Sequence, residues 1–275
     1  MESNVELIIE PGRGIKNYWG DLWRYRELFY FLAWRDILVR YKQTTIGIAW
    51  SVLRPFLTMI AFTIVFSKFA KLPSNGVPYP ILVYAAMLPW QFFANSLSEA
   101  SNSLIDNSNL LAKVYFPRLV IPASSLIVSL VDFCISLGIL ALLMMWYGFA
   151  PDLRILALPL FFLLAFIASF GCSLLLASLN VKYRDFRYVV PFIVQFGLYI
   201  SPVGFSSSIV PEKWRPIYSL NPMVGVIDGF RWGLLGGKTP IYWHGLLISL
   251  MVSVVIFCFG LRYFRNMERT FADVI

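Results

Sequence analysis

Residues 35–55, RDILVRYKQTTIGIAWSVLRP, join a basic segment to an apolar one. The first half spaces Arg35, Arg40 and Lys42 along a predicted helix among apolar side chains, whereas residues 45–67 are largely apolar. Basic side chains on an amphipathic helix suit the headgroup layer, because their stems cover apolar surface while their charges reach water. A long apolar run directly after such a helix predicts the first crossing of a bilayer.

The composition of the whole chain is that of a membrane protein. Apolar residues make up 59% of the chain, against roughly 45–50% in soluble domains, and charged residues only 14%, against about 25%. The mean hydropathy of +0.70 agrees with this class. The basic residues behind the net charge of +8 cluster at the edges of apolar runs, which favours anionic lipids over nucleic acid as their partner.

Few side chains in this sequence suit catalysis or metal binding. His244 is the only histidine, which excludes a histidine-based metal cluster or triad, and the three cysteines lie in apolar runs, where inert thiols are usual. The stretch GLLGGKT at 233–239 resembles a phosphate-binding loop, but Trp232 stands where that loop needs glycine and no strand precedes it. We therefore expect no metal site, no bound cofactor and no ATPase site in this chain.

Six apolar runs approach or exceed the roughly 20 residues that a membrane crossing needs. They cover residues 46–68, 79–97, 119–146, 154–179, 188–203 and 241–261. We therefore predict an all-α polytopic membrane protein with six transmembrane helices. Residues 204–240, between the last two runs, are rich in Pro, Gly and Trp yet half apolar, which favours short re-entrant or surface-lying helices over a plain loop.

The distribution of lysine and arginine predicts the orientation of the chain. With six crossings, the side that carries both termini has sixteen of these residues and the other side has seven. Because basic residues accumulate in cytoplasmic loops, both termini are predicted to be cytoplasmic. Residues 1–45 would then form a cytoplasmic tail with an interfacial helix, and residues 46–275 the transmembrane domain.

The segment before the first crossing predicts a helix that lies flat at the membrane surface. Trp19 and Trp23 belong to a series of aromatic residues that recurs at helical intervals between residues 15 and 34. Trp and Tyr prefer the membrane–water boundary. A soluble amphipathic helix packed on a partner is the alternative interpretation.

The predicted cytoplasmic loop 97–118 has the character of a docking surface. It begins with SEASNS and continues as LIDNSNLLAKVYFPR. Ser and Asn are good helix N-caps, and Leu110 and Leu111 can contribute to one apolar side of a short helix. A plain amphipathic connector is the alternative.

Polar and aromatic side chains inside the predicted crossings are candidates for a transport pathway. Asp132 lies near the middle of the third crossing, where a charge costs roughly 2.5–3.5 kcal/mol, so it must face protein or water or be protonated. It can bind a polar substrate or bridge helices. Phe92, Phe196 and Tyr199 can line a passage and stack on sugar faces, or they can pack against lipid and other helices.

Three stretches together resemble the permease subunit of ABC exporters that move lipid-linked polysaccharide, namely O-antigen, teichoic acid or capsule. The first is residues 35–55, quoted above, and the second is LLAKVYFPRLVIP at 110–122. The third, and the most specific, is NVKYRDFRYVVPFIVQFGLYISPVGFSSSIVPEKWRPIYSLNPMVGVIDGFRWGLLG at 180–236. The three stretches follow the family order.

The resemblance implies an ABC-2 type membrane domain that works as a homodimer with two separate ATP-binding subunits, which hold ATP and Mg. In family terms, a coupling helix and the flat N-terminal helix would meet those subunits, and short gate helices would lie on the outer side. The matching positions are Asn107, Leu110, Leu111 and Lys113 for the coupling helix, and Pro202, Asn221, Pro222 and Arg231 for the gate.

The predicted function is therefore that of a permease subunit, not an enzyme, exporting lipid-linked polysaccharide across the bacterial inner membrane through an aromatic-lined channel on the dimer axis. An ABC-2 permease for a small lipid or drug is one alternative. A membrane-embedded enzyme acting on a lipid-linked sugar is another, and it needs paired acids or a base at a membrane face. Asp132 stands alone in its crossing, and Asp185 lies between Arg184 and Arg187, as in a salt-bridged loop, so no catalytic residue is predicted.

Overall fold

The computed structural model describes residues 18–42, 47–74, 76–183, 185–268 and 270–271. Within these ranges the protein is helical, with 81% of residues in helices and no strand, which confirms the all-α class. The helices are Tyr18–Arg24 (α1), Arg26–Lys42 (α2), Gly47–Thr63 (α3), Tyr79–Asp106 (α4), Ser108–Lys113 (α5), Val120–Trp146 (α6), Leu158–Lys182 (α7), Phe186–Ile200 (α8), Arg215–Tyr218 (α9), Pro222–Leu234 (α10) and Trp243–Met267 (α11). A π-helical turn, Ile64–Phe69, continues α3, and short 3₁₀ helices cover Leu153–Ala157, Ser207–Ile209 and Glu212–Trp214.

Four of the described helices are long and apolar enough to cross a membrane. They are Val52–Phe69, Val120–Trp146, Leu153–Lys182 and Trp243–Met267. The helix α8 is apolar but has only 15 residues, whereas α4 has 28 residues and is polar in its second half. The structure agrees with a multi-pass membrane protein, and the number of six crossings stays a prediction.

The helix α4 continues beyond the point where the sequence predicts a loop. The predicted crossing ends at residue 97, but the helix runs to Asp106. Polar side chains in its last turns bond back to their own helix, since Asn102 Nδ2 donates to the carbonyl oxygen of Ser98 at 2.8 Å. Asn180 Nδ2 on α7 donates to the carbonyl oxygen of Ser101 at 3.0 Å. The polar half of α4 is therefore stabilised by hydrogen bonds that its hydropathy does not reveal.

The main core surrounds α4, which packs against α6, α7 and α10. Its centre is a group of aromatic rings in which Phe162 lies 5.0 Å from Phe92 and 4.7 Å from Phe133, measured between ring centroids. Phe133 also contacts Phe230 of α10 edge to face, at 6.0 Å. Such tilted and edge-to-face pairs add to the stabilisation that burial of the rings provides. They join α10 to the centre of the bundle.

A second, smaller core lies at the end of the bundle where the described chain begins and ends. Its buried members include Leu32, Leu104, Leu111, Phe116, Leu174, Phe264 and Phe271. We call this end, formed by residues 18–42, 104–121 and 264–268, the terminal end. The opposite end, formed by residues 147–157, 201–221 and 235–242, is the distal end. The helices α6, α7 and α11 run between the two ends.

The crossing of α7 and α11 depends on two glycines. A Cβ atom on Gly171 would lie 2.5 Å from the Cα of Phe257, and one on Gly260 would lie 2.2 Å from the carbonyl oxygen of Gly171. Small residues at such crossings allow the two backbones to approach closely. Any larger side chain here would have to separate the helices, because backbone atoms cannot rotate aside.

We therefore expect Gly171→Ala to lower the free energy of unfolding by about 1–3 kcal/mol, the usual cost of overpacking. Thermal unfolding of the purified protein in detergent would measure the loss. Gly138 in α6 is the matched control, because a Cβ there would meet nothing within 4 Å. Gly138→Ala should be neutral or stabilise by up to about 1 kcal/mol through helix propensity. Equal losses at the two positions would refute the packing explanation.

Candidate functional site

At the terminal end, α1 and α2 pack on the second core by one side and expose aromatic rings on the other. The exposed rings include those of Trp19, Trp23, Tyr30 and Trp34, and Trp23 is 71% exposed. On the opposite side, Leu32 is buried in the second core. Because indole and phenol rings favour the membrane–water boundary, this arrangement suits a helix that lies at that boundary.

The predicted interface helix and the predicted coupling segment are in direct contact. Arg35 Nη2 donates to Asn107 Oδ1 at 2.9 Å and pairs with the Asp36 carboxylate at 2.7 Å. Asn107 Nδ2 donates in turn to the carbonyl oxygen of Ser103 at 2.8 Å. Lys42 ends α2 with an exposed side chain. The structure thus brings Arg35 and Asn107, which lie 72 residues apart, into one contact.

The short helix α5 has a buried and an exposed side. Leu111 is buried in the second core and Leu110 is partly buried against it. Lys113 is exposed, and so are Val114 and Tyr115, which follow the helix. A cation beside exposed apolar side chains can bind an acidic and apolar protein surface, so this end can dock a partner.

Asp132 is held by residues of α2 and α4. Arg40 Nη2 lies 2.7 Å from Asp132 Oδ2, and the Tyr41 hydroxyl donates to the other carboxylate oxygen. Asn95 Nδ2 makes a longer contact with Oδ2, at 3.4 Å, and Arg40 Nη1 donates to Glu99 Oε1 at 3.0 Å. The Asp132 side chain is 9% exposed, so its charge needs these partners. In this geometry Asp132 bridges α2, α4 and α6.

At the distal end, Asn221 organises the break before α10. Its side-chain oxygen accepts from the Met223 backbone N–H at 3.0 Å, and its amide donates to Ser201 Oγ at 2.9 Å. Pro222 occupies the first turn of α10, where its missing N–H costs nothing. Pro202 is buried beside Ser201. The bond between Asn221 and Ser201 therefore joins the beginning of α10 to the end of α8, and Pro222 and Pro202 are the chain neighbours of these two residues.

Arg231 on α10 is a buried cation that binds backbone oxygens. Arg231 is only 1% exposed. Its nitrogens donate to the carbonyl oxygens of Leu82 (3.1 Å), Phe205 (2.6 Å) and Val203 (2.8 Å). The Tyr79 hydroxyl adds a bond to the Gly204 carbonyl oxygen at 2.8 Å. Two of the carbonyls that Arg231 binds belong to the non-helical residues after α8, so this guanidinium attaches that segment to α4 and α10.

The four predicted channel residues do not share one surface of the chain. Phe92 is 2% exposed and lies in the main core, and Asp132 is held by the bridge described above. Phe196 and Tyr199 are exposed on α8, where Phe192 and Phe196 stack with centroids 5.6 Å apart. An exposed, stacked aromatic face can contact lipid, a second polypeptide or the flat face of a sugar ring.

Within the described ranges, no group of three or more His, Cys, Asp or Glu side chains comes together as metal ligands would. The Asp185 side chain is exposed, and His244 packs near the ring of Tyr242 at 5.8 Å.

Sequence reasoning missed several partners of the residues that it singled out. The isolated charge of Asp132 in an apolar run was a signal that a partner exists, but nothing nearby in sequence identified Arg40 and Tyr41 as that partner. Glu99 lies within a polar stretch that is typical of any loop. The acceptors of Arg231 are backbone oxygens, which every residue has, so the sequence does not indicate which of them Arg231 binds.

The chain is thus an integral-membrane, multi-helix protein with exposed basic and aromatic side chains at one end and a broken helical segment at the other. Comparison with known families gives a match of residues 27–235 to the ABC-2 type transporter family. The chain belongs to this family, and the family predicted from the sequence is confirmed.

Several curated proteins align with this chain over most of both lengths. The O-antigen export system permease protein RfbA of Myxococcus xanthus is 28% identical over 93% of this chain and 98% of its own. The protein of the same name from Klebsiella pneumoniae is 26% identical over 90% of this chain and 95% of its own. The capsule polysaccharide export inner-membrane protein CtrC of Neisseria meningitidis is 23% identical over 86% of this chain and 91% of its own.

Proposed function

We propose that this protein is the permease subunit of an ATP-driven exporter of lipid-linked polysaccharide of the O-antigen, capsule or teichoic-acid kind. The observation that carries the proposal is the alignment with O-antigen export permeases over at least nine-tenths of both chains. In this proposal two copies of the chain form the passage, and two separate ATP-binding subunits supply ATP, Mg and hydrolysis. The protein would reside in the bacterial inner membrane.

The proposed orientation places the terminal end in the cytoplasm. The sixteen basic residues on the side of the termini, against seven on the other, support it through the positive-inside bias. Six crossings would then include α4 and α8 beside the four clearly apolar spans. The exposed tryptophans of α1 and α2 would lie among the headgroups of anionic lipids on the cytoplasmic leaflet.

The proposed contact with the ATP-binding subunits is made by α5 and its surroundings. The exposed side chains of Lys113, Val114 and Tyr115 support this. They lie at and just after the end of α5, and Leu111 on the opposite side of this helix is buried in the second core. Asn107 would keep this helix in register with α2 through its bond to Arg35. ATP-driven closure of the partners would push on α5.

The proposed gate is the broken segment 201–221 with α10, at the distal end. Pro202, Asn221 and Pro222 would define where the segment bends, and Arg231 would hold its backbone. The exposed aromatic face of α8, with Phe196 and Tyr199, would contribute to the passage for the glycan between the two copies. A hydrated polymer cannot cross hydrocarbon, and a passage shared by two copies gives it room.

Co-purification and reconstitution test this proposal. The chain isolated from its native membrane should bring an ATP-binding subunit with it, and liposomes that contain both should move a lipid-linked glycan only with ATP and Mg. Asp185→Asn should leave export and ATP hydrolysis unchanged, whereas an enzyme that used this exposed carboxylate would lose turnover. Export by the chain alone in liposomes without the ATP-binding subunit would contradict the proposal.

A cleft near the distal end favours a second candidate, an ABC-2 permease for a small lipid. It has a volume of about 360 Å³ between α3, the beginning of α4 and the end of α6. Its lining includes Phe56, Met59, Ile60, Leu143 and Trp146. An apolar cleft of this size suits a hydrocarbon chain. Transport assays with glycans of graded length separate the two candidates, because a small-lipid permease should lose activity as the polymer lengthens.

A further inference from the structure

Arg118 and Glu268 join the beginning of α6 to the end of α11. The Arg118 backbone N–H donates to Glu268 Oε1 at 2.7 Å, and the Arg118 guanidinium donates to the Glu268 carbonyl oxygen. These two residues lie 150 positions apart in the chain. The Glu268 carboxylate supplies an acceptor at the beginning of α6, and the Arg118 guanidinium supplies a donor at the end of α11. A negative charge is favourable at a helix N-terminus and a positive charge at a C-terminus. The pair is a reciprocal cap between two helices.

The reciprocal cap is partly buried in the second core. Phe271 is 1% exposed and packs against Phe264, and the Arg118 guanidinium lies 6.0 Å from the centroid of the Phe271 ring. Burial raises the pKa of the Glu268 carboxyl, whereas the hydrogen bond from the Arg118 N–H lowers it. Burial and the nearby Glu268 carboxylate raise the pKa of Tyr18 in α1. Side chains from two other places, Tyr18 in α1 and the pair Phe264 and Phe271, therefore lie around the cap.

The same cap lies directly beyond α5. The residues that connect α5 to α6 include Phe116 and Pro117, which are buried, and Tyr115, whose carbonyl oxygen accepts from the Tyr25 hydroxyl at 3.2 Å. Because only residues 114–119 separate α5 from α6, a displacement of α5 would be passed to the beginning of α6 and, through Glu268, to the end of α11.

At its other end, α11 is bonded to residues 201–221, which we call the distal segment. Ser249 Oγ donates to the carbonyl oxygen of Ser219 at 2.9 Å and accepts from the Gly225 backbone N–H of α10 at 3.2 Å. A Cβ on Gly225 would lie 2.7 Å from the Ser249 Cβ, so the two helices are in tight contact. With 25 residues, α11 extends over about 37 Å. It therefore connects the two ends of the protein within one chain.

We propose that α11 transmits displacement from α5 to the distal segment, and that Glu268 is the positioning residue through which α11 receives it. This inference rests on the proposed function, since it assumes that a partner acts on α5. A helix bonded to its neighbours at both ends moves as one body, and the close approach of Gly171 and Gly260 carries α7 with it. The distal segment would then respond through Ser249 and α10.

Two fluorescent probes test the inference in the reconstituted complex with the ATP-binding subunits. In a chain whose three cysteines are replaced by alanine, an environment-sensitive fluorophore is attached either to Asp106→Cys at the terminal end or to Lys213→Cys at the distal end. Both positions are exposed. Addition of a non-hydrolysable ATP analogue should change both signals in the parent protein.

In Glu268→Ala the terminal signal should persist, while the distal signal should fall by about fivefold or more. Glu268→Gln retains an acceptor oxygen and the size of the side chain, so its distal signal should fall by a smaller factor. If Glu268→Ala does not assemble with the ATP-binding subunits, Glu268→Gln is measured in its place. Asp185→Ala, which removes an exposed carboxylate from another loop of the terminal side, should leave both signals at the parent level.

A distal signal that stays at the parent level in both Glu268 variants would overturn the inference, and so would an equal loss at both probes. An unresponsive terminal probe in the parent protein would instead overturn the proposed function, together with the inference that rests on it.

Discussion

Replacement of Arg231 by alanine should destabilise the protein by about 3–5 kcal/mol, because several buried carbonyl oxygens lose their donor together and each unsatisfied buried group costs about 1–3 kcal/mol. The change deletes the donors to the Leu82, Val203 and Phe205 carbonyl oxygens, and it leaves a cavity in the main core. Each such charge-assisted bond contributes roughly 1.5–3 kcal/mol by itself. The unfolding midpoint of the purified protein in detergent should fall by roughly 10 °C.

Two further variants make this result specific. Arg231→Lys keeps the charge, but a single ammonium cannot reproduce the fixed fork of a guanidinium, so it should recover only part of the stability. Arg262→Ala removes an exposed arginine from α11 and should stay within about 0.5 kcal/mol of the parent. An Arg231→Ala protein that unfolds at the parent temperature would show that the backbone contacts of Arg231 are dispensable.

Loss of the Asp132 carboxylate should have the next largest effect, roughly 2–3 kcal/mol for Asp132→Ala. The cost lies below the roughly 3–5 kcal/mol of a fully buried pair because the Arg40 side chain is 31% exposed and retains its contact with Glu99. Detachment of α2 should also speed tryptic cleavage within residues 35–42. Unfolding midpoints and the rate of that cleavage measure the two consequences.

A double-mutant cycle isolates the contact between α2 and α6. If Arg40 and Asp132 stabilise the protein through their mutual contact, the double alanine variant should lose less than the sum of the single variants, by about 0.5–3 kcal/mol. Strictly additive losses would mean that the two residues act independently and that the bridge contributes nothing.

The bounds of the most apolar helices were predictable, because the hydropathy of a run of residues depends on that run alone. The predicted crossings 119–146, 154–179 and 241–261 correspond closely to Val120–Trp146, Leu158–Lys182 and Trp243–Met267. The extension of α4 to Asp106 was not, because Ser101, Asn102 and Ser103 donate to carbonyl oxygens of their own helix, and α7 bonds to the same turns through Asn180. Hydropathy measures the cost of exposing a side chain to lipid, and these side chains face protein.

The candidate site was predictable as a set of residues and not as a set of contacts. Residue type and spacing singled out Arg40 and Asp132, and the family resemblance singled out Asn107 and Arg231. Their bonds join positions distant in the chain, such as Arg40 with Asp132 and Arg35 with Asn107, and only the packing of the helices brings such positions together. Phe92 illustrates the same limit, since a ring inside a crossing has one sequence signature whether it lines a surface or fills the core.

The acceptors of Arg231 have a consequence for how sequences of this kind can diverge. Because the guanidinium binds main-chain oxygens, the side chains at positions 82, 203 and 205 can change without altering the atoms that it recognises. Covariation between position 231 and those three positions should therefore be weak, even though they are in contact. For these three contacts a single arginine would carry the constraint, and a map of co-evolving pairs would not detect it.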